Sequence, residues 1–109
     1  MAKTITLEHK GETYTLEFTR RTVEQLERQG FVASDITEKP MSTLPALFAG
    51  AFRAHHRYVK QEIIDEIFGK MINKQELIGK LAEMYNEPIL ALLDEPEDKE
   101  GNISWEASF

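Results

Sequence analysis

Hydrophobic and polar residues alternate along two stretches near the start of the chain. Ile5 and Leu7 are interleaved with Thr4, Thr6 and Glu8, and Tyr14, Leu16 and Phe18 with Thr13, Thr15 and Glu17. A period of two is the signature of a half-buried strand. Between the stretches lies His9-Lys10-Gly11-Glu12, where Gly11 can supply the positive φ of a tight turn. Residues 3–18 therefore read as a β-hairpin with Ile5, Leu7, Tyr14, Leu16 and Phe18 on one face. A lone two-stranded hairpin is marginal in water, so that face must lie on helices or on another chain.

From Thr19 onward the period lengthens to that of helices. Thr19 suits an N-cap, with Phe18 and Val23 at the two positions of a hydrophobic staple. The helix should run from Arg20 to about Gln29 and end on Gly30. Residues 31–41 read as a loop with Pro40 as a breaker. A longer helix is expected from Ser42 or Thr43 to about Tyr58, with Pro45 tolerated in its first turn. Leu44, Leu47, Phe48, Ala51, Phe52, His55 and Val59 recur along it at helical spacing, and Ala46, Gly50 and Ala54 form a second row of small residues. Apolar on more than one side, this helix should be central. Glycine inside a helix costs about 1 kcal/mol against alanine, so Gly50 implies close packing. The small-residue row has two readings: the buried centre of the monomer, or a seam against another subunit or client.

A further helix covers roughly residues 60–71, with Ile63, Ile64, Ile67, Phe68 and Met71 as its stripe and Glu62, Asp65, Glu66 and Lys70 as its wet side. Asn73 with Glu76 gives a capping-box pattern, and Ile72 with Leu77 a second staple, at the start of the next helix. That helix carries Leu77, Ile78, Leu81, Met84 and Tyr85. Pro88 should kink or split it by removing the hydrogen bond to the Met84 carbonyl. Ile89, Leu92 and Leu93 then continue the apolar face to about Asp94. Residues 95–102 are rich in proline, glycine and acids and read as mobile. Ile103-Ser104-Trp105 alternates like a short strand and contains the only tryptophan. The expected fold is α+β and mainly α. An N-terminal hairpin and a small bundle of four helices fill residues 1–94, and an acidic flexible tail fills residues 95–109.

Charge sharpens this division. The chain carries −6, and residues 94–106 hold six carboxylates against Lys99 alone, so five of the six net negative charges lie there. The remaining body is nearly neutral and lacks the basic footprint of a nucleic-acid binder. With no cysteine, disulfides, thiolate metal sites and cysteine nucleophiles are excluded. No apolar run is long enough to span a bilayer, and Met1-Ala2-Lys3-Thr4 opens without an apolar signal region, so neither membrane nor export is expected.

Candidate chemistry is sparse. His55-His56 near Glu62 and Asp65 is the best metal candidate. Adjacent helical residues point about 100° apart, and positions 59 and 60 are Val and Lys, so the i, i+4 pairing of a helical metal site is missing. The bland reading puts His55 in the buried stripe and His56 on the surface. No nucleophile elbow or phosphate loop occurs among the glycines. The expectation is therefore a protein without catalytic, cofactor-binding or metal-binding residues. The acidic tail is either a solubilising end or a tethered peptide. In the second reading Ile103 and Trp105 anchor in a groove or against a sheet edge, on the same chain or a neighbour.

One run of residues carries a family likeness. Tyr14-Thr15-Leu16-Glu17-Phe18-Thr19-Arg20-Arg21-Thr22-Val23 leads into Glu27-Arg28-Gln29-Gly30-Phe31. Lys39-Pro40-Met41 follows, then Leu44-Pro45-Ala46-Leu47-Phe48-Ala49-Gly50-Ala51-Phe52-Arg53-Ala54-His55-His56, and finally Ile78-Gly79-Lys80-Leu81-Ala82-Glu83-Met84-Tyr85. Over residues 13–93 the chain resembles the small tail assembly chaperones of long-tailed bacteriophages, especially those of Gram-positive hosts. The resemblance implies a non-virion protein in the host bacterium's cytoplasm. Such a protein coats the tape measure protein, keeps it soluble and helps recruit tail tube subunits, with self-association expected. It also implies a short form of a protein that many such phages extend by a frameshift. It carries no position-by-position binding motif. The candidate protein-binding residues, Ala46, Phe48, Gly50, Phe52, Ala54, Ile103 and Trp105, come from the physical reading alone. The alternatives are another non-enzymatic adaptor or inhibitor docking through the Trp105 tail, and a small enzyme using His55 or His56.

Overall fold

Two antiparallel strands lead the chain, β1 over Ile5–His9 and β2 over Glu12–Leu16, paired so that Ile5 faces Leu16 and Leu7 faces Tyr14. That register puts the predicted apolar residues on one side. The two-residue turn is tighter than Gly11 alone requires. Lys10 at φ 51° and Gly11 at φ 81° are both left-handed, as a type I′ turn demands. Four α-helices follow, and the fold is α+β, mainly α: α1 over Arg20–Arg28, α2 over Pro40–Ala51, α3 over Gln61–Lys70 and α4 over Lys74–Ala91. The computed structural model describes residues 3–94 and 103–109.

α1 begins and ends where local chemistry places it. The Thr19 hydroxyl accepts from the Thr22 amide, and the Thr22 hydroxyl accepts from the Thr19 amide at 2.8 Å. Threonine thus does the work of the usual Glu in the capping box. At the other end Gly30, at φ 90°, allows its own amide to reach the Glu27 carbonyl and the Phe31 amide to reach the Leu26 carbonyl, both at 3.0 Å. This is the Schellman closure.

α2 differs from expectation at both ends. Pro40 is not a breaker before the helix but its first residue, where the missing amide costs nothing. Pro45 consequently sits in the second turn, inside the helix. A short 3₁₀ turn, Ala33–Ile36, occupies part of the expected loop. The helix stops at Ala51 rather than running to Tyr58, and the Ala51 carbonyl accepts instead the Glu17 amide of the segment leaving β2, at 3.0 Å. Beyond it the chain makes irregular turns, with the His55 and His56 amides both donating to the Phe52 carbonyl.

α2 is nevertheless the central element, touching α1, α3, α4 and the 3₁₀ turn. Leu47, Phe48, Ala51 and Phe52 are buried along it. The Phe48 ring lies 5.2 Å from Phe52 and 4.9 Å from Phe68 of α3, and Tyr14 of β2 meets Phe52 edge-on at 5.7 Å. A second aromatic group forms where Tyr85 of α4 takes Phe18 and Phe31 edge-on, each at 5.3 Å. Burial, followed by the Glu27 carboxylate, pushes the Tyr85 hydroxyl above its ordinary pKa.

The boundary between α3 and α4 lies where the Asn73 pattern puts it, but the expected cap does not form. Asn73 is left-handed, at φ 53°, and its side chain makes no capping bond, since that bond needs an extended cap residue. Ile72 is exposed while Leu77 is buried, so the staple is absent. The turn is held instead by Lys74, whose Nζ donates to the Met71 carbonyl at 2.8 Å, just past the end of α3. Pro88 neither splits nor ends α4, which continues to Ala91.

Gly50 has the packing reason its position implied. A Cβ there would stand 2.6 Å from Leu26 Cδ1 and 3.3 Å from Leu26 Cγ of α1. Gly50→Ala should gain about 1 kcal/mol in helix propensity and lose about 1–3 kcal/mol to overpacking. Denaturant titration is expected to show net destabilisation in the wild-type background. In a Leu26→Ala background the same substitution should become stabilising.

Candidate protein-binding surfaces

The most apolar exposed region is the end of α4. Leu77, Leu81, Met84 and Tyr85 bury the first part of that helix. The expected continuation of the core stripe through Ile89, Leu92 and Leu93 does not occur. Ile89 is 40% exposed, Leu90 70%, Leu92 55% and Leu93 88%. At its end α4 faces α1 across an open gap and does not pack tightly on it. Pro88, Ile89 and Leu92 meet Arg20, Val23, Glu24 and Glu27 of α1 across a groove of about 240 Å³. The Leu90 and Leu93 side chains stand outside that groove.

The residues singled out in the sequence do not form one surface. Phe48 and Phe52 are core residues, and Gly50 lies under Leu26. None of these three presents side-chain area to a partner in this fold. Ala46 lines a shallow groove with Leu26, Phe31, Val32 and Thr43. Ala54 lies beyond the end of α2, so it leaves the row and lines a different cleft, beside Arg21, Arg53 and Arg57. Ile103 and Trp105 are exposed, Trp105 at 84%, and their segment forms no strand. The edge of β2 is already occupied, since the Glu17 amide reaches Ala51 and the Thr15 amide donates to His56 Nε2 at 2.9 Å. The mobility expected of residues 95–102 concerns a stretch outside the described residues.

The histidines exchange the places expected of them. His55 is exposed and its Nε2 pairs with Glu17 Oε1 at 2.7 Å, whereas His56 is half-buried against Tyr14 and accepts the strand amide. The helical spacing that put His55 in the stripe lapses once α2 has ended. His9, at the end of β1, meets Glu66 Oε2 of α3 at 2.6 Å, and Lys10 meets the same oxygen at 3.3 Å. Lys3 bridges Glu83 and Glu87 of α4 at 3.2 and 3.4 Å. Among the described residues no three of His, Asp and Glu converge as metal ligands. No helix among them is long and apolar enough to cross a membrane.

Sequence reasoning passed over two features. Leu90 lies off the helical stripe, and its exposure becomes notable only once its neighbours are exposed too. Arg21, Arg53 and Arg57 form no pattern along the sequence, although Arg53 and Arg57 are four residues apart. Their convergence depends on where α2 stops.

Fold and surface together define a small, mainly helical domain fronted by a β-hairpin, with an exposed apolar patch at one helix end. A family defined as a domain of unknown function, DUF5055, matches residues 1–109, the whole chain, and the chain belongs to that family. No curated protein and no solved structure matches it.

The hairpin-to-α3 link gives a pH test. The His9 hydrogen bond first, and Lys10 second, hold the Glu66 carboxyl below its ordinary pKa. A depressed folded-state pKa contributes stability above the ordinary carboxylate range and loses it as pH falls through the lowered value. Glu66→Gln should therefore lower the melting temperature slightly at about pH 7 and leave it unchanged at about pH 2.5, below the carboxylate range. Both are readable by thermal denaturation.

Proposed function

We propose that this chain is a tail assembly chaperone of a long-tailed bacteriophage. It acts in the host bacterium's cytoplasm, binds the tape measure protein, keeps it soluble and helps recruit tail tube subunits. The observation that carries the reading is the exposed apolar end of α4. Ile89, Leu90, Leu92 and Leu93 remain in water at the end of a helix whose first part is buried in the core. An exposed apolar patch of this kind is a site for polypeptide contact. A long, helix-rich client is held well by many copies, each making a modest contact, because linked weak sites add avidity. The nearly neutral body does not repel clients of either sign. The family likeness over residues 13–93 points to the same client.

A second reading is an adaptor or inhibitor of another kind that docks through its C-terminal segment. Its support is the exposure of Ile103, Trp105 and Phe109.

Co-expression with the tape measure protein of the same phage separates the two. The wild-type chain is expected to bring that protein into the soluble fraction and to co-elute with it. Leu90→Lys/Leu93→Lys should abolish co-elution while changing folding stability by no more than about 0.5 kcal/mol, as exposed positions do. A client that stays insoluble beside the wild-type chain would sink the chaperone reading. Co-elution lost with Trp105→Ala but kept with the leucine variant would favour the second.

A further inference from the structure

An open cleft of about 430 Å³ lies between α1 and the turns that follow α2, lined by Thr19, Arg21, Thr22, Gln25, Arg53, Ala54, Arg57 and Tyr58. Three guanidinium-bearing residues line it, and no carboxylate does. Among the described residues none of the three pairs with an acid, whereas Arg28 on the same helix is held by Glu24 at 2.6 Å. The Arg57 guanidinium lies 5.3 Å over the exposed Tyr58 ring. Unpaired arginines beside an exposed aromatic ring make a receptor for carboxylates accompanied by a flat side chain. Arginine takes carboxylates in two-pronged bonds, and guanidinium planes stack on aromatic faces.

This chain contains a segment of that chemistry. Asp94, Glu95, Glu97, Asp98, Glu100 and Glu106 concentrate nearly all its net charge in one stretch that also holds Trp105. We propose that the arginine cleft of one copy binds the acidic C-terminal segment of a second copy. Two observations favour the neighbour over the chain itself. The described end, residues 103–109, is fully exposed and makes no hydrogen bond, ion pair or aromatic contact with the described body. The segment also leaves α4 on the Arg20, Val23, Glu24 and Glu27 side of α1, while the cleft opens on the Arg21, Thr22 and Gln25 side. Its own tail would have to wrap around that helix.

Each copy gives one tail and accepts another, so two copies can exchange tails and close a dimer, or pass them onward head-to-tail. Repetition of such a contact builds a ring or an open chain of subunits. The contact needs no client, and its test uses the purified full-length protein alone.

The test is a charge exchange read by sedimentation velocity and by Trp105 emission, which reports on one residue because the chain has one tryptophan. The wild-type chain should associate as concentration rises. Trp105 should become shielded from quencher in step, and added salt should reverse both. Arg21→Glu/Arg53→Glu/Arg57→Glu should weaken association by at least about tenfold, and so should Glu95→Lys/Glu97→Lys/Asp98→Lys/Glu100→Lys. Mixing the two variants should restore it, since each tail then meets a cleft of opposite sign. Far-UV circular dichroism confirms that both remain folded, and Arg53→Ala/Arg57→Ala gives a milder cleft variant should the reversed one unfold. Three results would overturn the proposal: a wild-type chain monomeric at every concentration, association indifferent to the arginines, or Trp105 shielded equally at every dilution. The last would put the tail in the chain's own cleft.

Discussion

The fold depends on how the free edge of β2 is covered. A two-stranded sheet leaves one row of backbone groups on each strand without a partner, and such a hairpin is barely stable alone. Here the chain at the end of α2 serves β2 in place of a third strand. Glu17 donates to the Ala51 carbonyl and Thr15 donates to the His56 ring. Those two bonds press the apolar face of the hairpin, with Tyr14 and Leu16, onto Phe52 and the core around it. The side-chain hydrogen bonds around the hairpin, His9 with Glu66 and His55 with Glu17, are peripheral to this.

The next segment starts from the same contact. α2 ends where Ala51 accepts the strand amide, and residues 52–58 follow as turns. Arg53, Ala54 and Arg57 are thereby placed beside Arg21 of α1. Had α2 continued to Tyr58, helical spacing would have kept His55 in the apolar stripe. A structural bond between hairpin and helix thus shapes a surface remote from the core.

Much of this was legible in the sequence, and the boundary of legibility is physical. The hairpin register, the Thr19 cap, the Gly30 closure and the stripe of α3 depend on residues a few positions apart, so pattern alone finds them. The end of α2 coincides with a contact to Glu17, thirty-four residues earlier, and no local pattern encodes that meeting. At Asn73 the pattern indicated the right boundary for the wrong reason. A left-handed Asn ends one helix and starts another without side-chain capping. The exposed end of α4 is a different case. Ile89, Leu92 and Leu93 fit a buried stripe, but periodicity reports which residues share a side and not how closely the opposite element packs. α1 faces Ile89 and Leu92 only across an open groove, and that gap is a tertiary feature.

The fastening of β2 by His56 has a chemical consequence. The Ala51 carbonyl belongs to the backbone and is there whatever residue stands at the position, but the imidazole acceptor belongs to one replaceable side chain. His56 serves Thr15 only while Nε2 carries a free lone pair and the ring proton sits on Nδ1. The bond therefore fixes which ring nitrogen carries the hydrogen, and a side chain of similar shape without an acceptor at that point would undo one of the two clasps on the hairpin and leave an outward amide open to any incoming strand.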